Sequence, residues 1–201
     1  MAIYTPDGFR GDQKSAMELV ADYPFATLMT VIDHEEPQIT YLPLSLEDKA
    51  LWGHMAKSNP HWRRFAQGRT MALFHGPHAY VSPSWYSVPA DNVPTWNYAV
   101  VHFSGPPEIL NQAGTRRVVK QLVTRFDPDG GVTGAEKIEK LLDGIVGFRI
   151  PIMRAETKFK MSQNKPEADR AGVIAGLRAN GQAAEAAVAD WMERHGTAPR
   201  S

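Results

Sequence analysis

The sequence predicts a mainly β fold with peripheral helices, and three observations carry that reading. Short β-prone runs alternate with Gly, Pro, Asn and Asp turn signals through residues 25–153, in the manner of a barrel or sandwich. No strand–helix–strand alternation of the kind that winds a parallel sheet is present, and the Ala-rich, helix-prone sequence is confined to the tail from Lys165 onward. A chain of 201 residues, 43% hydrophobic and 22% charged, suits one globular domain because that length buries a single sizeable core. We therefore expect one domain over residues 1–164 with helical insertions, and a C-terminal helical extension over residues 165–201 packed on it.

The elements follow in chain order. Gln13 to Asp22 reads as an amphipathic helix with Asp12 as N-cap and Pro24 as the stop signal. Residues 25–32 are rich in β-branched and apolar side chains, and the turn-prone Asp33-His34-Glu35-Glu36-Pro37 separates them from residues 38–44 as in a hairpin. A short strand over residues 50–54 runs into a short helix, with Ser58 or Asn59 as cap and Pro60 at the first helical position. Further strands are expected over residues 70–75, 78–82, 95–104 and 145–153, where Val146, Phe148, Ile150 and Ile152 share one face. One helix is expected from Ala113 to Phe126 and another before Gly144. In the tail Ala184, Ala187, Val188 and Trp191 fall on one helical face.

Composition removes several chemistries. The chain has no cysteine, which excludes disulfides, thiolate metal sites and a cysteine nucleophile. The amino terminus lacks the basic and apolar regions of a secretory signal, and no run approaches the roughly 18 apolar residues of a membrane span, so a cytoplasmic location without membrane association is expected. Lys plus Arg and Asp plus Glu both number 22, so the chain as a whole lacks the positive field that draws proteins to nucleic acid.

Four of the five tryptophans and five of the seven histidines lie between Trp52 and His102. Buried Trp and His need partners for their N–H groups, so this crowding marks either a ligand site or a polar-edged aromatic core. Within it, Gly53-His54-Met55-Ala56-Lys57-Ser58-Asn59-Pro60-His61-Trp62 places an ammonium, a hydroxyl and an amide at a helix start. That pattern suits a phosphate cradle, though the same residues also occur on ordinary capped surface helices. The run from Phe74 to Tyr86, continuing at residues 93–98, sets planar side chains on Pro-stiffened backbone; these suit a flat ligand, while Trp85, Tyr86 and Trp96 suit an oligomer interface. His75 and His78 flank Gly76-Pro77 with no carboxylate near in sequence, so no metal site is expected; Ser82 and Ser84 sit in no nucleophile elbow. Lys158, Lys160 and Lys165 crowd around Ser162, Gln163 and Asn164, either as donors to an anion or ring edge or as a solvated basic turn.

Taken together, these blocks resemble the PaiB-type "FMN-binding negative transcriptional regulator" family. The likeness runs through Gly53-His54-x-Ala56-x-x-Asn59-Pro60-x-Trp62, then Gly76-Pro77-His78-Ala79-Tyr80-Val81-Ser82-Pro83-Ser84-Trp85-Tyr86 and Val93-Pro94-Thr95-Trp96-Asn97-Tyr98. It continues in Lys158-x-Lys160-x-Ser162-Gln163-Asn164-Lys165 and in Asp169-Arg170-x-Gly172-Val173-Ile174-x-Gly176-Leu177. The resemblance implies an FMN-binding split β-barrel of the pyridoxamine-phosphate-oxidase type, in which two subunits form a homodimer with flavin sites at their interface. It implies that the step holding Lys57, Ser58 and Asn59, with His54 and Trp62 beside it, receives the flavin phosphate. Trp96 and Tyr98 would lie near the ring or the dimer seam, and Gln163 and Asn164 would close the site. No catalytic residue is assigned. Flavin-linked regulation, a flavin- or haem-dependent oxidoreductase, and a cofactor-free DNA- or protein-binding regulator are the three functions this implies or leaves open. Zero net charge and the lack of helix-turn-helix spacing argue against direct DNA binding.

Overall fold

A computed structural model describes residues 3–128 and 135–195. In chain order the elements are α1 (Gln13–Asp22), β1 (Phe25–Val31), β2 (Gln38–Pro43), β3 (Ser45–Glu47), β4 (Ala50–Ala56), β5 (Arg69–Val81), β6 (Thr95–Ser104) and β7 (Glu108–Ile109). Then come α2 (Gln112–Phe126), α3 (Ala135–Leu142), β8 (Ile145–Pro151), β9 (Arg154–Lys160), α4 (Glu167–Ala179) and α5 (Ala183–His195). A 3-10 helix spans Pro60–Gln67. The fold is the α+β class expected, antiparallel strands with helices. The chain divides into two compact units: Met1–Asp22, His75–Val101 and Glu156–Ser201 form the first, Tyr23–Phe74 and His102–Ala155 the second.

In the second unit β1 pairs with β2 in a hairpin (Phe25↔Pro43 to Thr30↔Gln38) and, on its other edge, with β5 (Ala26↔Phe74 to Val31↔Arg69). Period-2 alternation sends Ala26, Leu28 and Thr30 inward. A second sheet runs β3-β4-β8-β7, with β4 and β8 paired from Ala50↔Pro151 to Ala56↔Ile145. Helix α2, capped by the Asn111 side chain, buries Thr115, Val118, Val119 and Leu122 at helical spacing. Val118 and Leu122 join Ala50 and Trp52 in one cluster, and the Val118 and Leu122 side chains each contribute about 1.5–3 kcal/mol on burial. A Cβ at Gly147 would lie 2.6 Å from Thr115 Oγ1, so only glycine lets α2 approach β8 this closely.

In the first unit α1 starts at Asp12, whose carboxylate accepts the Ser15 N–H at 2.7 Å, and the helix buries Ala16, Leu19 and Val20. Leu19 sits over Gly76 of β5, where a Cβ would come within 2.8 Å of Leu19 Cδ1. Helix α5 drives Trp191 fully into the core, edge-on to Phe159 at 5.8 Å. Helix α4 lays Gly172 and Gly176 against Trp85: a Cβ would meet the Trp85 carbonyl oxygen at 2.1 Å and its ring at 2.3 Å respectively.

Four expectations change. The strands expected over 70–75 and 78–82 are one continuous strand, β5, because Gly76 and Pro77 are both buried within it rather than turning the chain. Ile152 lies beyond the end of β8 and does not share its buried face. Ala184 is exposed, so the inward face of α5 is Val188, Ala189, Trp191 and Met192. The short strand β3, paired with β4 from Ser45↔Trp52 to Glu47↔Ala50, had no sequence signal strong enough to be expected.

Candidate functional site

The Lys57–Trp62 step lies in the second unit, where β4 ends. Its helix is 3-10 and Asn59 is the cap: the Asn59 carbonyl oxygen of the side chain accepts the His61 N–H at 3.0 Å. The Asn59 amide donates to Thr40 Oγ1 at 3.1 Å, which in turn meets His61 Nδ1 at 2.8 Å. His61 Nε2 lies 2.9 Å from Thr30 Oγ1, which is 2.8 Å from Thr70 Oγ1. Buried at 1% exposure, His61 is thus held at both ring nitrogens, and burial pushes its pKa down to about 4, so it serves as a neutral strut. The Trp62 indole donates to the Lys57 carbonyl at 3.1 Å, with the Arg63 guanidinium stacked 4.7 Å from its ring.

These bonds divide the five candidate residues of the step. Asn59 and Trp62 spend their polar groups on holding the turn. Lys57 and Ser58 are exposed, and neither side chain is engaged by another described residue. His54, on β4 opposite Gly147, has a buried Nδ1 without a partner among the described residues, and burial lowers its pKa. An exposed ammonium beside an exposed hydroxyl suits a phosphate, so the Lys57–Ser58 pair fits the group expected there. The helix contributes less than expected, because its cap already takes one N–H and Pro60 has none.

The other candidates lie in the first unit. Alternation along β6 buries Asn97, Ala99 and Val101 and turns Trp96 and Tyr98 to the opposite face. Trp96 is 53% exposed, with Tyr80 edge-on at 6.3 Å and His78 at 6.4 Å. The Lys158 ammonium lies 5.7 Å from the Tyr98 ring. Gln163 does not reach outward: its side-chain oxygen accepts the Met161 N–H at 2.6 Å and its amide donates to the Phe159 carbonyl, bracing a turn in which Ser162 takes φ 57°. Trp85 and Tyr86 are turned inward, against α4 and at 5% exposure respectively, so only Trp96 of the three aromatic interface candidates is outward-facing. Asn164 lines a cavity of about 240 Å³ with Tyr86, Asn92, Asn97, Lys160 and Lys165. Sequence reasoning singled out those lysines but missed their partners across the cavity, which lie some 70 residues away: Thr95 and the Trp96 carbonyl for Lys160, Asn92 for Lys165. Among the described residues no three His, Asp or Glu side chains gather as a metal site, and no helix is long and apolar enough to cross a membrane.

Residues 3–154 match the family described as "Putative FMN-binding domain". The chain is 34% identical over 188 residues to "Protease synthase and sporulation protein PAI 2" of Bacillus subtilis, an alignment covering 88% of this chain and 89% of that protein. It is 30% identical over 229 residues to an uncharacterized protein of Emericella nidulans, covering 89% and 91%. Two solved structures share the fold. Conserved hypothetical protein Rv2991 from Mycobacterium tuberculosis gives a TM-score of 0.63 at 16% identity, over 82% of this chain and 95% of that one. The FAD and heme binding protein from Mycobacterium smegmatis gives 0.57 at 18% identity, over 74% and 71%.

Proposed function

The chain belongs to the PaiB-type family of FMN-binding split-barrel proteins, and from that premise we propose that it binds FMN as a homodimer and couples the redox or ligand state of the flavin to regulation. The observation that carries the reading is the Lys57–Ser58 turn. Its two side chains are free for an anion, while the Asn59, Thr40, His61 and Thr30 network beneath them fixes the backbone that bears them. When bound, the isoalloxazine ring supplies the electron-transfer chemistry. Lys57 and Ser58 bind the phosphate by charge-assisted hydrogen bonds from the ammonium and the hydroxyl, and His54 stands on the strand that leads into the turn. Asn59 and Trp62 act as positioning residues. Trp96 and Tyr98 supply planar surface to the ring or to the seam between the two copies, and Asn164 supplies an amide; Gln163 shapes the turn that carries it.

Visible absorbance and flavin fluorescence quenching on adding FMN test this. Micromolar or tighter binding is expected, weakened about tenfold in Lys57→Ala, the size of one lost charge-assisted contact. Failure of the wild-type chain to bind FMN overturns the reading. Anaerobic reduction of the FMN-loaded protein with NADH or NADPH separates a regulator from an oxidoreductase using the same site.

A further inference from the structure

We propose that the first unit carries an oxyanion-binding cavity, walled by Lys160, Lys165, Asn92, Thr95 and Asn164, that takes a small phosphate- or carboxylate-bearing molecule. Among the candidate flavin contacts it uses only Asn164, and it does not rest on the flavin reading.

Three features point to an anion. The lining is rich in donors. The Lys160 ammonium donates to Thr95 Oγ1 and to the Trp96 carbonyl at 2.9 Å, and Lys165 donates to Asn92 Oδ1 at 2.7 Å. Each ammonium keeps at least one N–H to give, and the Asn164 amide adds more. The positive charge has no contact partner: among the described residues neither lysine has a carboxylate within ion-pair distance. Asp91 stands on the exposed rim, and Asp169, which accepts the Ser87 N–H at 2.8 Å, feels Lys165 only at longer range. Burial first, then the charges of Lys158 and Lys165, lower the Lys160 pKa. Finally, the walls are fixed. Asn97 and Ser162 are buried at 1% and 4% and bonded to each other at 3.0 Å, and the Lys165 ammonium lies 5.0 Å from the ring of buried Tyr86.

Size narrows the ligand. About 240 Å³ falls below the roughly 300–1,000 Å³ of pockets that enclose drug-sized molecules. The cavity therefore suits a small organic phosphate or acid, or the phosphate end of a larger ligand, rather than a whole flavin.

Backbone amide spectra of 15N-labelled protein titrated with inorganic phosphate, against chloride at matched ionic strength, decide the matter. Saturable shifts at the Asn92, Thr95, Asn164 and Lys165 amides are expected with phosphate alone. Lys165→Met should weaken them about tenfold and Lys165→Arg should keep them. Absence of saturable shifts overturns the proposal, as does a response left intact by both Lys165→Met and Lys160→Met. FMN and riboflavin titrations of Lys165→Met identify the source. Loss of affinity for FMN but not riboflavin assigns the oxyanion to the flavin's own phosphate; no loss for either assigns it to a separate small molecule. Phosphate shifts in a wild-type chain that does not bind FMN would overturn the flavin reading and leave the cavity standing.

Discussion

His61 illustrates how one residue serves the site without touching a ligand. Its ring bonds to Thr30 and Thr40 tie the start of the 3-10 helix to strands β1 and β2, so the Lys57–Ser58 turn is set by a neutral imidazole. Its folded pKa of about 4 lies below the 6.5 of an unperturbed histidine. Between those values the unfolded chain binds the extra proton, so the stabilisation is complete above about pH 6.5 and is lost as pH falls toward 4. The full shift corresponds to about 3 kcal/mol. Urea unfolding from pH 7.5 to 4.5 should show this slope, and His61→Gln, which cannot titrate, should flatten it. His54, depressed in the same direction, leaves a residual slope. An unchanged pH profile in His61→Gln would show that the ring is not buried neutral.

Among the elements, α4 shows why a motif need not be a site. Asp169-Arg170-x-Gly172-Val173-Ile174-x-Gly176 is one of the runs that carry the family resemblance, yet Gly172 and Gly176 are the surface on which Trp85 rests, and Asp169 accepts the Ser87 N–H beside it. Gly176→Ala forces a methyl into an aromatic ring and should cost about 1–3 kcal/mol by overpacking, read as a lowered urea midpoint with unchanged slope. The same contrast explains what was legible. The α1 boundaries could be read because an Asp cap and a Pro stop are local signals. By contrast β5 was misread, since Gly76-Pro77 is a turn signal that close packing against Leu19 overrides. For the site, residue types at positions 57–59 could be read, but not their division into exposed, unengaged Lys57 and Ser58 and structural Asn59. That division depends on Thr40, some 19 residues away. The bonds of Gln163 to its own turn were not legible either, because a side chain that braces its turn looks identical in sequence to one that reaches outward.

For the molecule as a whole, binding and association should be linked. If FMN sits between two copies, the cofactor stabilises the dimer and not the free chain, so the apparent melting temperature should rise with protein concentration as well as with FMN. FMN at a hundredfold above its Kd should add about 2.7 kcal/mol. Trp96, 53% exposed among Tyr80 and His78, is the aromatic side chain we assign to this seam. Trp96→Glu places a charge there without disturbing the buried face of β6, so it should leave the chain folded by circular dichroism while shifting it to monomer in sedimentation velocity. FMN affinity should fall with the dimer. A Trp96→Glu monomer that binds FMN as tightly as the parent would place the cofactor within one copy and detach flavin binding from self-association.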